Sequence, residues 1–211
     1  MNPFYLFSII TGTFSLSTIT AYIICYYNNY QFINPKMKHE KLIDRLFDLS
    51  KNIPLLLFQS VSFMYFISDN FIPYGQHSWL ESYYTMILYS LMAEANYYVY
   101  HRLIHSYYYI EIHKKHHKNV IVYPFDTFHF TQLDDFALIT SLGLPVVFVK
   151  MSMLEHVFIL YVYITCAYLS HSNLFWSHHF IHHRIPHSNF CILFPVFDIL
   201  FGTYIRYLPG E

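Results

Sequence analysis

The sequence predicts an all-α integral membrane protein, with about four transmembrane or re-entrant helices and a cytoplasmic helical cap that carries a histidine-rich dimetal site. Three observations predict it. Hydrophobic residues make up 55% of the 211 and charged residues only 12%, a balance too apolar for a solvated globule of this length. Several segments are apolar over the length a bilayer demands. Three histidine boxes, His101-x-x-x-His105, His113-x-x-His116-His117 and His179-x-x-His182-His183, lie where those segments end. Five glycines and no polar linker run mark no boundary, so a single domain over residues 1–211 is expected.

Taken in order, Phe4 to Tyr26 is apolar and long enough to span. It lacks the basic start and small-residue cleavage pattern of a secretory signal, and reads as a retained helix. Asn28 to Asn52 carries Lys36, Lys38, Lys41, Arg45 and Lys51, which the positive-inside rule assigns to the cytoplasm. Within it, Glu40 to Leu49 is expected to form a short interfacial helix. Ile53 to Ile72 returns through the membrane, Pro73 to Glu81 turns, and Ser82 to Tyr100 crosses back to deliver His101 on the cytoplasmic side. Phe136 to Lys150 and Met153 to Ser170 form a last apolar pair near the lower length limit, either a re-entrant hairpin or two tilted spans. In both cases the third box rejoins the first two on one face.

Composition excludes other classes. The 22 tyrosines and 21 phenylalanines suit flanks at headgroup depth, where amphipathic rings are favoured. A net charge of −1 gives no field for steering nucleic acid. Cys25, Cys166 and Cys191 are odd in number and far apart, so neither a disulfide framework nor a thiolate metal site is supported.

The boxes carry the chemistry. On a helix, positions i and i+3 or i+4 share a face, so each box aims two or three imidazoles at one point. Buried imidazoles are costly to desolvate unless each finds a partner, and a cation satisfies many nitrogens together. Eight box residues are too many for one tetrahedral ion. Two ions sharing them, with His171 and His129 added, would keep a position open for a small molecule. His39, His77 and His156 lie outside the cluster and read as ordinary polar residues, while His178 and His187 neighbour better-placed ligands. Glu94 lies two helical turns before His101 on the same face, and a hydrogen bond to a ligand histidine is expected there. Asp126, Asp134, Asp135 and Asp198 read as helix caps or loop residues in preference to metal partners. Tyr97, Tyr98 and Phe175 are candidate walls of a lipid-shaped cavity.

Tyr100-His-Arg-Leu-Ile-His105, Ile112-His-Lys-Lys-His-His117 and His179-Phe-Ile-His-His183, closed by Phe197-Asp-Ile-Leu-Phe-Gly-Thr-Tyr204, resemble the fatty acid hydroxylase and sterol desaturase superfamily of membrane di-iron oxygenases. The resemblance runs from about Glu94 to Tyr204, and the wording of the second box leans toward its C-4 methylsterol oxidase and C-5 sterol desaturase branches. It implies an oxidoreductase of the endoplasmic reticulum with boxes facing the cytoplasm, working in lipid biosynthesis. Two iron ions, O2 as co-substrate and electrons from a separate cytochrome b5 or reductase would hydroxylate or desaturate a sterol or fatty acyl chain. Carried over by residue, the ligands are His101, His105, His113, His116, His117, His171, His179, His182 and His183, with His129 in the place of a further family histidine. Where the family has a proline next, this chain has Phe130. No His-Pro-Gly-Gly haem signature is present, so the donor is expected to be a separate protein.

Two other classes compete with this reading. One is a metal-binding membrane protein without turnover, holding zinc in closed coordination. The other is a hydrolase using a metal-bound water, which the absence of an H-E-x-x-H motif counts against.

Overall fold

The structure, a computed structural model, describes residues 2–67, 76–175 and 177–207. Among them the regular elements are helical: α1 (Pro3–Tyr27), α2 (His39–Phe66), α3 (Trp79–Tyr107), α4 (Gln132–Gly143), α5 (Met153–Ser170), and the short α6 (His178–His182) and α7 (Val196–Leu200). Each long helix except α2, which Lys38 precedes without a side-chain cap, starts where its sequence offers one. Asn2 accepts from the Phe4 N–H at 2.8 Å, and Pro3 opens α1, where the N–H that proline lacks would have had no helical partner. Ser78 with Glu81 and Ser152 with Glu155 form reciprocal capping boxes at the starts of α3 and α5. Thr131 accepts from the Asp134 N–H at 3.2 Å to start α4.

Among the described residues two helices, α1 and α5, are long and apolar enough to cross a membrane. They pack against each other along a seam of small residues on α1, with Thr13, Ser17 and Ala21 buried. Ser17 donates to the Tyr161 carbonyl at 3.3 Å, and the Thr18 and Tyr168 hydroxyls lie 3.0 Å apart. Such hydroxyl contacts hold helices together where lipid removes the usual hydrophobic drive. The other side of α1 leaves Phe7, Leu16, Ile19 and Ile23 exposed, an apolar surface suited to lipid.

Two expected elements differ from this architecture. Glu40 to Leu49 and the apolar run from Ile53 are one continuous helix, α2, with Pro54 inside it. Proline removes a helical N–H and favours a break, but tertiary contacts hold the polar half in line. Arg45 pairs with Asp126 at 3.1 Å, Asp48 with Lys115 at 2.8 Å, and Asn52 donates to the Phe130 carbonyl at 2.9 Å. Phe136 to Lys150 does not form a tilted span, one of the two alternatives expected for it. The 12 residues of α4 end at Gly143, and Leu144–Val147 tightens into a 3-10 turn containing Pro145. Twelve residues rise about 18 Å, short of the roughly 30 Å hydrocarbon core. The end of the expected second span and the start of the turn after it, residues 68–75, fall outside the described residues. Trp79 to Glu81, expected in that turn, form the first turn of α3.

The core gathers the ends of these helices. Tyr89, Ala93 and Tyr97 of α3 pack with Val146, Met151, Ile159 and Tyr163. Phe128 and Phe130, in the loop before α4, pack with Phe14 of α1 and Tyr168 of α5. The C-terminal ends of α3 and α5 are thereby brought beside the loops that carry the second and third boxes.

Candidate metal centre

Local helix geometry aims the first and third boxes. His101 and His105 lie one turn apart near the end of α3, while His179 and His182 lie on α6 with His183 at its C-cap. His171 caps the C-terminus of α5. The second box breaks regularity: His113 ends a π-helical turn (Tyr109–His113), and His116 and His117 open a 3-10 turn (His116–Lys118). A π turn at a functional position is a common way of re-aiming one side chain.

Nine of the ten histidines expected as ligands converge in two groups. His101, His105, His113, His117 and His182 form the first, and His116, His171, His179 and His183 the second, with the ligand atoms of each group within 4.8 Å of one another. Sequence neighbours divide between them: His116 and His117 face different groups, as do His182 and His183. The groups share a wall, the His117 and His183 rings stacking with centroids 4.4 Å apart. His129 is in neither group. It is buried with Nδ1 3.1 Å from the Asp48 carboxylate, because its loop is drawn toward α2 by Asn52.

Hydrogen bonding fixes which ring nitrogens are free to bind a cation. Nδ1 of His101 lies 2.7 Å from the Phe190 carbonyl, that of His182 2.6 Å from Ser188, and that of His171 2.9 Å from Ala167. A carbonyl only accepts, so each Nδ1 carries the proton and each Nε2 a lone pair. His113 donates its Nδ1–H to Asp134 at 2.8 Å. Nε2 of His101 and of His113 face each other at 3.1 Å. Nε2 of His182 sits 3.1 Å from those of both His105 and His117, and Nε2 of His171 lies 3.2 Å from His183 and 3.3 Å from His116. Two nitrogens about 2.1 Å from one ion are about 3.0 Å apart at a right angle and about 3.4 Å at the tetrahedral angle. The spacing fits imidazoles gathered around cations.

Electrostatics agree with this. Burial first, and neighbouring histidines second, hold His116, His179, His182 and His183 well below the usual imidazole range. They are neutral, the form that ligates. An all-imidazole donor set suits iron, zinc, copper or nickel.

Carboxylates position this shell differently from the expectation. Glu94 makes no bond to a ligand histidine: it accepts from the backbone N–H groups of Ile192, Leu193 and Phe194 at 3.0, 2.9 and 3.3 Å. A loop with three amides in reach offers a carboxylate more partners than one imidazole does. Glu94 thus fixes the strand of loop whose Phe190 carbonyl orients His101. Asp198 works on the same loop, accepting from the N–H groups of Phe190 and Cys191 at 2.7 and 2.8 Å. Asp134 is the carboxylate that touches a ligand, and it also accepts from the Tyr100 hydroxyl. Its place in the first turn of α4, an ordinary position for a cap, concealed that role; Tyr100 beside the first box was the available signal. Asp126 is spent on Arg45, and Asp135 is buried with no carboxylate hydrogen bond among the described residues.

An apolar cavity reaches the second group alone. His116, His171 and His179 line it together with Tyr97, while no histidine of the first group does. Of the other expected walls, Tyr98 stacks on Phe201 and Phe175 is exposed, both away from this cavity.

Paired clusters of buried histidines at the ends of apolar helices could each hold a metal ion, beside an apolar cavity. Residues 86–203 match the fatty acid hydroxylase family. The chain belongs to that family, within the sterol desaturase and fatty acid hydroxylase superfamily, and family and clusters together fit a membrane lipid hydroxylase or desaturase. No curated protein and no solved structure matches the chain.

Proposed function

We propose that the chain is a di-iron oxidoreductase that uses O2 and an external electron donor to hydroxylate or desaturate a sterol or fatty acyl chain in lipid biosynthesis. The observation that carries this reading is the cavity. His156, Ile159, Tyr163, Ile164, Ala167 and His171 line it from one face of α5, a stripe about 22 Å long at 1.5 Å per residue. A slot of that length and polarity holds a lipid chain parallel to α5 and brings one carbon to His116, His171 and His179. Closed structural zinc sites have no such approach, so the cavity favours turnover over metal storage.

The nine histidines of the two groups would hold the iron ions, which when bound supply the one-electron chemistry and O2 activation that side chains lack. The protein's own part is placement. Phe63, Leu142 and the α5 stripe exclude water from the chain, and the Nδ1–H bonds to Phe190, Ser188, Ala167 and Asp134 keep the Nε2 atoms of His101, His182, His171 and His113 directed inward.

The basic α1–α2 loop supports an orientation with the boxes facing the cytoplasm, in the endoplasmic reticulum. Arg45 and Asp48 are paired to Asp126 and Lys115 beside the second box, so the boxes share the side of the membrane that the lysines favour. The electron donor, a cytochrome b5 or a reductase, would dock from that side.

Lipid extracts of cells carrying the chain, the His116→Ala variant or neither test the proposal. A hydroxylated or desaturated lipid is expected with the unaltered chain alone, and iron at about two per chain in the purified protein. Identical lipids in all three, or zinc as the sole metal, would overturn it.

A further inference from the structure

A second cleft lies outside the histidine groups, between the start of α2 and the turn that follows the second box. Lys36, Lys38, Lys41, Lys115 and Lys118 rim it, with Arg45 and His129 also among its lining residues and only Asp44 and Asp48 in opposition. Part of that charge is committed: Lys115 pairs with Asp48 at 2.8 Å, and Arg45 uses Nη2 on Asp126 at 3.1 Å. The rest is not. Lys36, Lys38, Lys41 and Lys118 make no ion pair among the described residues, and the buried Nη1 of Arg45 has no hydrogen-bond partner there. Arg45 is only 6% exposed, so water does little to satisfy it. Buried donors are rarely left unpaired, and such gaps mark places where a ligand completes the set.

We infer that this cleft binds a phosphate group, that of a phospholipid headgroup or of a soluble phosphate. The donors come from two separate segments, residues 36–45 and 115–118, and surround a concavity; a tetrahedral, multiply charged oxyanion accepts from several directions at once. An acidic protein surface would be better met by a flat basic patch. The cleft begins seven residues after α1 ends at Tyr27, and α1 is long enough to span, so the site sits near the depth of lipid phosphates. The inference goes beyond the oxygenase reading and does not depend on turnover.

Isothermal titration of the full, detergent-purified chain tests it with two probes, soluble dihexanoyl phosphatidate and inorganic phosphate. Saturable binding that weakens at high salt is expected, together with at least a tenfold loss in the Lys41→Ala/Lys118→Ala double variant. Both lysines are exposed, so the variant keeps its fold, which an unchanged melting temperature verifies. Tighter binding of phosphatidate identifies a lipid headgroup as the ligand; equal binding identifies a soluble phosphate. Binding unaffected by the double substitution overturns the site. Absence of saturable binding by either probe also overturns it, and leaves the lysine rim to an acidic protein.

Discussion

The carboxylate of Asp134 stands 2.8 Å from Nδ1 of His113 and accepts from the hydroxyl of Tyr100, the residue next to His101. One side chain on α4 therefore ties the second box to the helix that carries the first. Removing it as Asp134→Ala frees the His113 ring to rotate and to change tautomer. Metal affinity is expected to fall by about 10- to 100-fold, read as metal retained after a chelator challenge. Retention equal to the unaltered chain would deny the carboxylate this role.

His129→Ala separates ligands from neighbours. With His129 outside both groups, the purified variant is expected to keep its full metal content, whereas His182→Ala, which removes the Nε2 facing both His105 and His117, loses metal from the first group. Elemental analysis of the two variants side by side decides it.

Glu94→Ala leaves the amide groups of residues 192–194, those of Ile192 and Leu193 buried, without this acceptor. Each such group costs about 1–3 kcal/mol, so a sharp fall in thermal stability is expected, with metal loss following from the disturbed Phe190 carbonyl. A variant that melts with the unaltered chain would show that the loop has another anchor.

Filling the cavity should silence chemistry without touching the metal. Ala167 lines the slot one turn before His171, and Ala167→Leu is expected to abolish lipid oxidation while metal content stays constant. A milder change comes from Gly143→Ala, whose added carbon would lie 2.9 Å from the Phe63 ring and push that wall aside. A shift among lipid products is expected, measured by mass spectrometry of lipid extracts.

Two buried groups outside the histidine groups give stability opposite pH slopes. Burial lowers His129 from 6.5 to about 3, so below the unfolded value the unfolded chain takes up a proton that the fold refuses, and stability drops as pH falls from 6.5 toward 3. Burial, with Asp134 beside it, raises Asp135 from 3.8 to about 7. Its contribution is full below 3.8 and is lost as pH rises through 7. Asp135→Asn is therefore expected to raise the melting temperature more at pH 8 than at pH 5; an equal effect at both would count against a buried, titrating carboxyl.

The histidines were legible because spacing alone puts i, i+3 and i+4 imidazoles on one face, and nine of them meet. Which imidazoles meet was not legible. His116 and His117 are adjacent, and only the 3-10 turn at that point sends them to different groups. The split of α2 at Ile53 followed from composition, since a polar run and a proline look like an ending; three contacts to residues 115–130 keep the helix going. Glu94 was placed correctly near the site, but its partners lie about a hundred residues away and no local pattern announces them.

Asn189 adopts a left-handed backbone (φ 56°) and is pinned on both sides of its amide: its side chain accepts from the Ile205 N–H at 2.8 Å and donates to the Ile205 carbonyl at 2.8 Å. Asp198 meanwhile holds Phe190, Cys191 and the Thr203 hydroxyl. Residues 198–205 thus brace the loop whose carbonyls orient His101 and His182. On the ribosome the first box emerges roughly a hundred residues ahead of that brace, so a nascent chain interrupted before residue 205 would lack the bonds that aim those two rings.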